Sequence, residues 1–195
     1  MPTPRARRVL ERLENEDAEE RRPGVPRAER GRQIAPSTGR FLFALAAARP
    51  GCKVLEIGGS RGYSSIWLGS GAALVGGRLV SLEIDPRKVE AWRTNIAEAG
   101  LVEYAKLVDG DAFATLSTLE GSFDLCFLDA EKEDYERLYT QAREKLVTGA
   151  VVVADNAISH AETLAAYSEA RQSDLTVVSV TVPLDRGLEL SVIVA

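Results

Sequence analysis

The chain has 195 residues, 45% of them hydrophobic and 27% charged, which is room for one domain with a sizeable core. No apolar run approaches the ~20 residues of a membrane span, and the start, MPTPRARRVLERLENEDAEE, has no apolar stretch of a secretory leader, so a cytoplasmic protein is expected. The net charge of −5 is uneven: residues 1–40 hold ten Arg against seven Asp or Glu, and the acidic body beyond them argues against nucleic acid as the main partner.

In chain order, Val9, Leu10 and Leu13 recur at helical spacing and predict an amphipathic helix in the basic arm, solvated or packed on another subunit. Residues 20–31 hold two prolines and two glycines and read as a connector. Residues 1–30 are therefore expected to be an arm and connector, ahead of a domain over 31–195. Ser37 is expected to cap a helix through FLFALAAA, apolar nearly all round. Cys52 and Cys126 border or lie in apolar runs and read as packing residues in a reducing compartment.

From residue 53 strands and helices alternate. KVLEI is a strand, YSSIWLGSGAAL a helix, and RLVSLEI a strand. Asp85 caps and Pro86 opens a helix that Gly100 stops. AKLVD, a short helix over 112–119, the buried strand FDLCFLD and the amphipathic helix DYERLYTQAREKL follow. AVVVAD, AETLAAYSEARQ and LTVVSVTV come next, then the turn PLDRG and LELSVIVA. Near-continuous apolar strands between helices predict a Rossmann-like three-layer α/β sandwich. A five-residue turn holds no crossover helix, so the last two strands form an antiparallel hairpin. Seven strands are expected, six parallel and one reversed.

The first strand runs into EIGGSRG. Gly58, Gly59 and Gly62 fit neither G-x-G-x-x-G, whose other places would fall on Ser60 and Tyr63, nor a P-loop. Glu56, these glycines, Glu83 closing VSLEI and the later Gly110-Asp111-Ala112 make an acidic rim. Such a rim suits a positively charged nucleoside better than a pyrophosphate, and S-adenosylmethionine has that chemistry. Glu83 would accept two ribose hydroxyls, and Glu56 would lie near the cationic end.

VLEIGGSRGYSS, VSLEID, GDAF, FDLCFLDAEKEDY and VVVADN, in this order, resemble the class I S-adenosylmethionine methyltransferases. The pair FLDAEK and ADN narrows the likeness to the cation-dependent O-methyltransferases of catechol and caffeoyl-CoA type. The resemblance covers about residues 30–195 and implies a cofactor set of Glu56, Gly58, Gly59, Ser60, Gly62, Tyr63, Ser64, Glu83, Ile84, Asp111, Ala112 and Asp129. Asp111 either accepts the adenine amino group or caps the next helix. Phe113 lies against adenine or fills the helix–sheet gap.

Asp129 ends the fourth strand, and Asp155 and Asn156 end the fifth. Two carboxylates and an amide oxygen form a hard-oxygen set suited to Mg²⁺ or another divalent cation, with no Cys or His beside them to suggest zinc. Lys132 stands three residues after Asp129, and the resemblance gives it the base role. His160 lines the substrate pocket or caps a helix. Trp67 and Trp92 read as core.

The chain departs from the family in three places. Only 39 residues follow Asn156, so substrate-covering loops are short. The hairpin reads Asp185-Arg186-Gly187 where plant relatives have Gly-Asp-Gly. Ala130-Glu131 lacks the aromatic of the mammalian catechol enzyme. Catechols, flavonoids, hydroxycinnamoyl esters and other hydroxyls therefore all stay open as substrates. The expectation is a Mg²⁺-dependent O-methyltransferase of a small hydroxylated molecule, with Asp129 and Lys132 catalytic, as a possible homodimer. The alternatives are a metal-independent small-molecule methyltransferase and a non-catalytic S-adenosylmethionine-binding module.

Overall fold

Successive strand residues feed two separate apolar layers, and this alternation builds the fold. In a computed structural model describing residues 1–22 and 32–195, Val54 of β1 (Lys53–Ile57) enters one layer and its neighbours Leu55 and Ile57 enter the other. β4 (Phe123–Leu128) alternates the same way: Leu125 and Phe127 go to the first layer, Cys126 and Leu128 to the second. Both cysteines are free and buried, as their apolar surroundings predict.

The first layer is roofed by α1 (Pro4–Glu20), α2 (Pro36–Ala47), α3 (Tyr63–Leu74) and α4 (Pro86–Ala99). α5 (Ala112–Thr118), α6 (Tyr135–Arg143) and α7 (Ala161–Ser173) cover the second. Between them lies a seven-stranded sheet. It also contains β2 (Arg78–Glu83), β3 (Ala105–Asp109), β5 (Leu146–Asp155), β6 (Val177–Val182) and β7 (Leu188–Ile193), in the order β3-β2-β1-β4-β5-β7-β6. β7 runs antiparallel to both its neighbours and the other pairings are parallel, so one strand of seven is reversed, as expected. Burying a Leu, Ile or Phe completely contributes roughly 1.5–3 kcal/mol. A one-residue slip of β1 or β4 would forfeit several such terms at once, so the register that places the strand ends is tightly held.

Three local expectations change. α1 is not a solvated arm: Ala6, Val9, Leu10 and Leu13 are buried in the first core layer, and Arg5 bonds the Ala97 carbonyl at the end of α4. Ser37 does not cap α2, because Ala35 holds that position ahead of Pro36 and the Ser37 hydroxyl turns to Asp185 instead. The helix expected through Leu146 stops at Arg143. Leu146 is buried and pairs with Phe123, while the Phe123 amide donates to the Lys145 carbonyl, so sheet pairing outweighs helical pattern there. The expected connector lies, from residue 23 onward, outside the described residues. Among those described, no helix is long and apolar enough to cross a membrane.

Candidate functional site

The winding reverses between β1 and β4, and ligands bind open α/β sheets outside the strand ends at such a point. Ile57 pairs with Leu128, and the Asp129 amide donates to the Ile57 carbonyl at 3.0 Å. Gly58 crosses this junction with φ +96°, where a Cβ would stand 2.1 Å from the Asp129 carbonyl oxygen. No side chain fits there. The amides of Gly58 and Gly59 both donate to the Leu82 carbonyl at 3.0 Å, tying the turn to the end of β2.

Glu83, 7% exposed, organises the same turn. Its Oε2 accepts the Ser60 amide at 2.8 Å, and its Oε1 accepts the amides of Ile84 and Asp85 at 2.9 and 2.8 Å. Of roughly four acceptor sites on a carboxylate, about one is left for a ligand hydroxyl, fewer than the two expected. Glu56 departs further from expectation. It is fully buried, its Oε2 accepts the hydroxyls of Ser65 and Ser81, and its Oε1 has no partner. Burial pushes its carboxyl pKa up, against the pull of the Ser64, Ser65 and Ser81 hydroxyls. The residue lies beneath the turn and outside the cleft wall, so it does not face a cationic ligand directly. Gly62, the left-handed residue ahead of α3, packs against Trp92 and also stays off the wall.

The cleft encloses about 670 Å³, within the range of small-molecule sites. One half is walled by Gly58, Ser60, Glu83, Ile84, Asp111, Ala112 and Phe113, and the other by Lys132, Asn156, His160, Thr163 and Arg186, with Asp129 at the junction. Gly59, Tyr63 and Ser64 line an adjoining recess of about 30 Å³, which shares Gly58, Ser60 and Asp129 with the cleft and is closed by Leu13, Glu16, Asp17 and Glu20 of α1. There the Tyr63 hydroxyl donates to Glu14 at 2.6 Å. Asp111 caps α5 by accepting the Phe113 amide at 3.0 Å, while remaining on the cleft wall. Phe113 also faces the cleft, with the Arg137 guanidinium 4.2 Å over its ring. Trp67 and Trp92 are core, and the Trp92 indole donates to Ser65.

The residues of the predicted oxygen cluster stand at the neighbouring ends of β4 and β5, where Leu128 pairs with Ala154; Asp129 and Asn156 line the cleft, and Asp155 does not. Asp155 and Asn156 are each 4% exposed. Burial first, and then the negative charge of Asp129, push the Asp155 carboxyl up to about 7. Two carboxylates that repel each other in a partly dry site are a place where a cation is stabilised. Asn156 takes a left-handed backbone (φ 71°), and its Nδ2 donates to Ser159 Oγ at 3.1 Å, which leaves its amide oxygen to act as a ligand. Among the described residues no group of three His, Cys, Asp or Glu side chains is arranged for a metal. Two carboxylates and an amide oxygen are thus the available set, and their chemistry fits Mg²⁺.

Lys132 opens a 3₁₀ turn and reaches back over the end of β4. Its Nζ donates to Asp129 Oδ1 at 2.8 Å, to the Ala130 carbonyl at 3.0 Å and to the Tyr135 hydroxyl at 2.8 Å. Tyr135 is fully buried and spans the β4 and β5 ends through the carbonyls of Leu128 and Asp155, at 3.1 and 3.2 Å. Sequence reasoning passed over Tyr135, since a tyrosine on the inner face of an amphipathic helix reads as core. The signal available was its place three residues after Lys132, on the same helical face. His160 stands at the cap position of α7, lines the cleft, and contacts Ser159 Oγ through Nδ1 at 3.0 Å. It occupies the cap position, but its side chain makes no capping hydrogen bond.

Comparison with known proteins matches this geometry. A family model described as O-methyltransferase covers residues 6–194. The chain is 41% identical over 138 residues to a catechol O-methyltransferase of Mycobacterium tuberculosis, an alignment covering 70% of this chain and 62% of that protein's length. Among solved structures, cofactor-bound Rv0187 from MTB superposes with a TM-score of 0.81 at 30% identity, covering 95% of this chain and 89% of that one. The O-methyltransferase TomG from Streptomyces achromogenes, in complex with SAM, gives 0.79 at 27% identity over 96% and 90% of the two chains. The fold, the glycine turn at the switch point and a match along nearly the whole length make this chain a member of the O-methyltransferase family.

Proposed function

We propose that the protein transfers a methyl group from S-adenosylmethionine to a hydroxyl of a small, catechol-like molecule, with Mg²⁺ held by Asp129, Asp155 and Asn156. The observation that carries this reading is one shared cleft. The Gly58–Ser60 turn and Glu83 stand on one side of Asp129, and Lys132 and Asn156 on the other, as a methyl donor and a hydroxyl acceptor meeting at Asp129 require. The named relatives support it, one a catechol O-methyltransferase and one a SAM complex.

In this mechanism Gly58, Ser60, Glu83 and Asp111 would hold the cofactor. A divalent cation bound by Asp129, Asp155 and Asn156 would supply Lewis acidity at the acceptor. Lys132 Nζ, placed by Asp129, Ala130 and Tyr135, takes the hydroxyl proton when it meets the acceptor as the neutral amine, and as the ammonium it stabilises the phenolate instead. Tyr135 holds the two strand ends and the lysine in register. Orienting the two reactants can remove several kcal/mol of the barrier, and most of what these residues do is orientation. The Lys132–Asp129 ion pair at 2.8 Å favours a second reading, a metal-independent transferase in which this pair alone organises the acceptor.

Turnover of labelled cofactor against a panel of catechols, with Mg²⁺ and with EDTA, separates the two. Mg²⁺-stimulated methylation is the expected result. Full activity in EDTA supports the second reading, and no methylation of any catechol overturns the first.

A further inference from the structure

The turn between β6 and β7 carries a cation into the acceptor half of the cleft, and its backbone is pinned from three sides. The Asp185 carboxylate accepts the Ser37 hydroxyl at 2.6 Å and the Thr38 amide at 3.0 Å, fastening the turn to the start of α2. The Arg186 carbonyl accepts the amides of Ile158 and Ser159 at 3.0 and 2.8 Å, which fastens it to the loop after Asn156. Gly187 has φ +85°, and a Cβ there would meet Ile158 at 2.3 Å, so that approach excludes every side chain. A backbone held this way delivers the half-buried Arg186 side chain to one place.

That place is the cleft wall beside Asn156, His160 and Thr163. Most acids of the same wall are already engaged: Asp129 by Lys132, Glu131 by Arg32, Asp134 by Arg137, Asp85 by Arg87, and Glu83 by three backbone amides. Among the described residues Arg186 forms no ion pair. Its charge acts on the Asp155 carboxyl at a distance, without an ion pair between the two. A guanidinium offers five donors in a planar fork that matches a carboxylate, and the cleft leaves this one for a ligand.

We propose that Arg186 is a specificity-determining residue that receives a carboxylate carried by the acceptor, at the end remote from its reacting hydroxyl. The substrate class is then a vicinally dihydroxylated aromatic acid, in preference to a neutral catechol. This rests on the O-methyltransferase reading above and goes beyond it in naming the acceptor's charge. It also gives a role to the hairpin position where this chain has Arg and its plant relatives do not.

The test compares wild type, Arg186→Gln and Arg186→Lys on a matched pair, a vicinal dihydroxybenzoate and catechol itself. Steady-state kinetics give the acid-to-neutral ratio of kcat/KM, and calorimetry gives binding of each compound to the protein with S-adenosylhomocysteine and Mg²⁺. The expected result is a ratio favouring the acid in wild type, falling about tenfold or more in Arg186→Gln, mainly through KM, and partly restored by Arg186→Lys. A ratio within about threefold of wild type in Arg186→Gln, or a wild type that prefers the neutral compound, overturns the proposal. If wild type methylates neither compound, the methyltransferase reading fails, and calorimetry still decides on Arg186. Acid binding lost in Arg186→Gln upholds it, and equal binding by the two proteins overturns it.

Discussion

Replacing Glu56 by Gln tests what the buried acid at the end of β1 is for. The side chain is fully enclosed, with two hydroxyls on Oε2 and none on Oε1. Burial favours the neutral form and raises the pKa above its ordinary 4.5, and the three serine hydroxyls oppose this without reversing it. The direction fixes the sign of the linkage. A carboxyl whose folded pKa lies above its unfolded one contributes stability that is fully present below about pH 4.5. That contribution is lost as pH rises through the folded value. Over the interval between the two pKa values each pH unit removes about 1.4 kcal/mol. Gln has the same shape, its amide oxygen can accept from Ser65 and Ser81, and it has no proton to lose. The variant should therefore gain on the parent as pH rises above about 4.5, until the pH passes the folded value. Urea unfolding of both metal-free proteins across that range gives the difference curve. A flat curve, or one in which the parent gains with pH, would refute the reasoning, since it would mean that the hydroxyls stabilise an ionised Glu56. Cofactor affinity at neutral pH should change little, because Glu56 is not on the cleft wall.

The other variants probe the cleft itself. Tyr135→Phe removes the hydroxyl shared by Lys132 and the carbonyls of Leu128 and Asp155; it should cost about 1–2 kcal/mol in urea unfolding and lower kcat more than cofactor affinity. Glu83→Ala frees the amides of Ser60, Ile84 and Asp85 and should weaken cofactor binding roughly tenfold or more by calorimetry with the far-UV spectrum retained. Unchanged affinity would take Glu83 out of the cofactor site. Asp129→Ala should abolish metal-stimulated turnover, and surviving Mg²⁺ stimulation would remove Asp129 from the proposed cation site.

Much of this architecture was legible because it rests on period and punctuation. The strand and helix alternation, the Asp85 cap with its Gly100 stop, and the reversed last strand all follow from local pattern, and the structure has them. The placement of Asp129 and of Asp155 and Asn156 at adjacent strand ends was legible too, because β4 and β5 are parallel neighbours. What escaped depends on contacts between distant segments. Ser37 looks like a cap until Asp185, 148 residues away, takes its hydroxyl. Leu146 looks helical until Phe123 pairs with it. α1 carries a charge-rich, solvent-like sequence, yet its few apolar residues fall on one face, and that face closes over α3 and α4.

The acids of the cofactor half share a further logic. Glu83 and Asp111 hold backbone amides, Asp85 holds the first turn of α4, and Glu56 holds two hydroxyls. A turn built from glycines has little side-chain packing to fix it, and glycine loses more conformational freedom on ordering than any other residue. Acids that accept several N–H or O–H groups at once restore that order, and where the acid is ionised each charge-assisted hydrogen bond is about twice as strong as a neutral one. In this half of the cleft an acidic strand end therefore shapes the backbone that meets the ligand first, and it contacts the ligand only through whatever acceptor capacity remains. The β4–β5 half is arranged the other way: burial first, and then the charge of Asp129, push Asp155 up to about 7. Acids that have satisfied donors build a surface, and a buried acid facing a second carboxylate makes a site for charge; under the proposed function this difference would assign the cation to the ends of β4 and β5 and the nucleoside to those of β1 and β2.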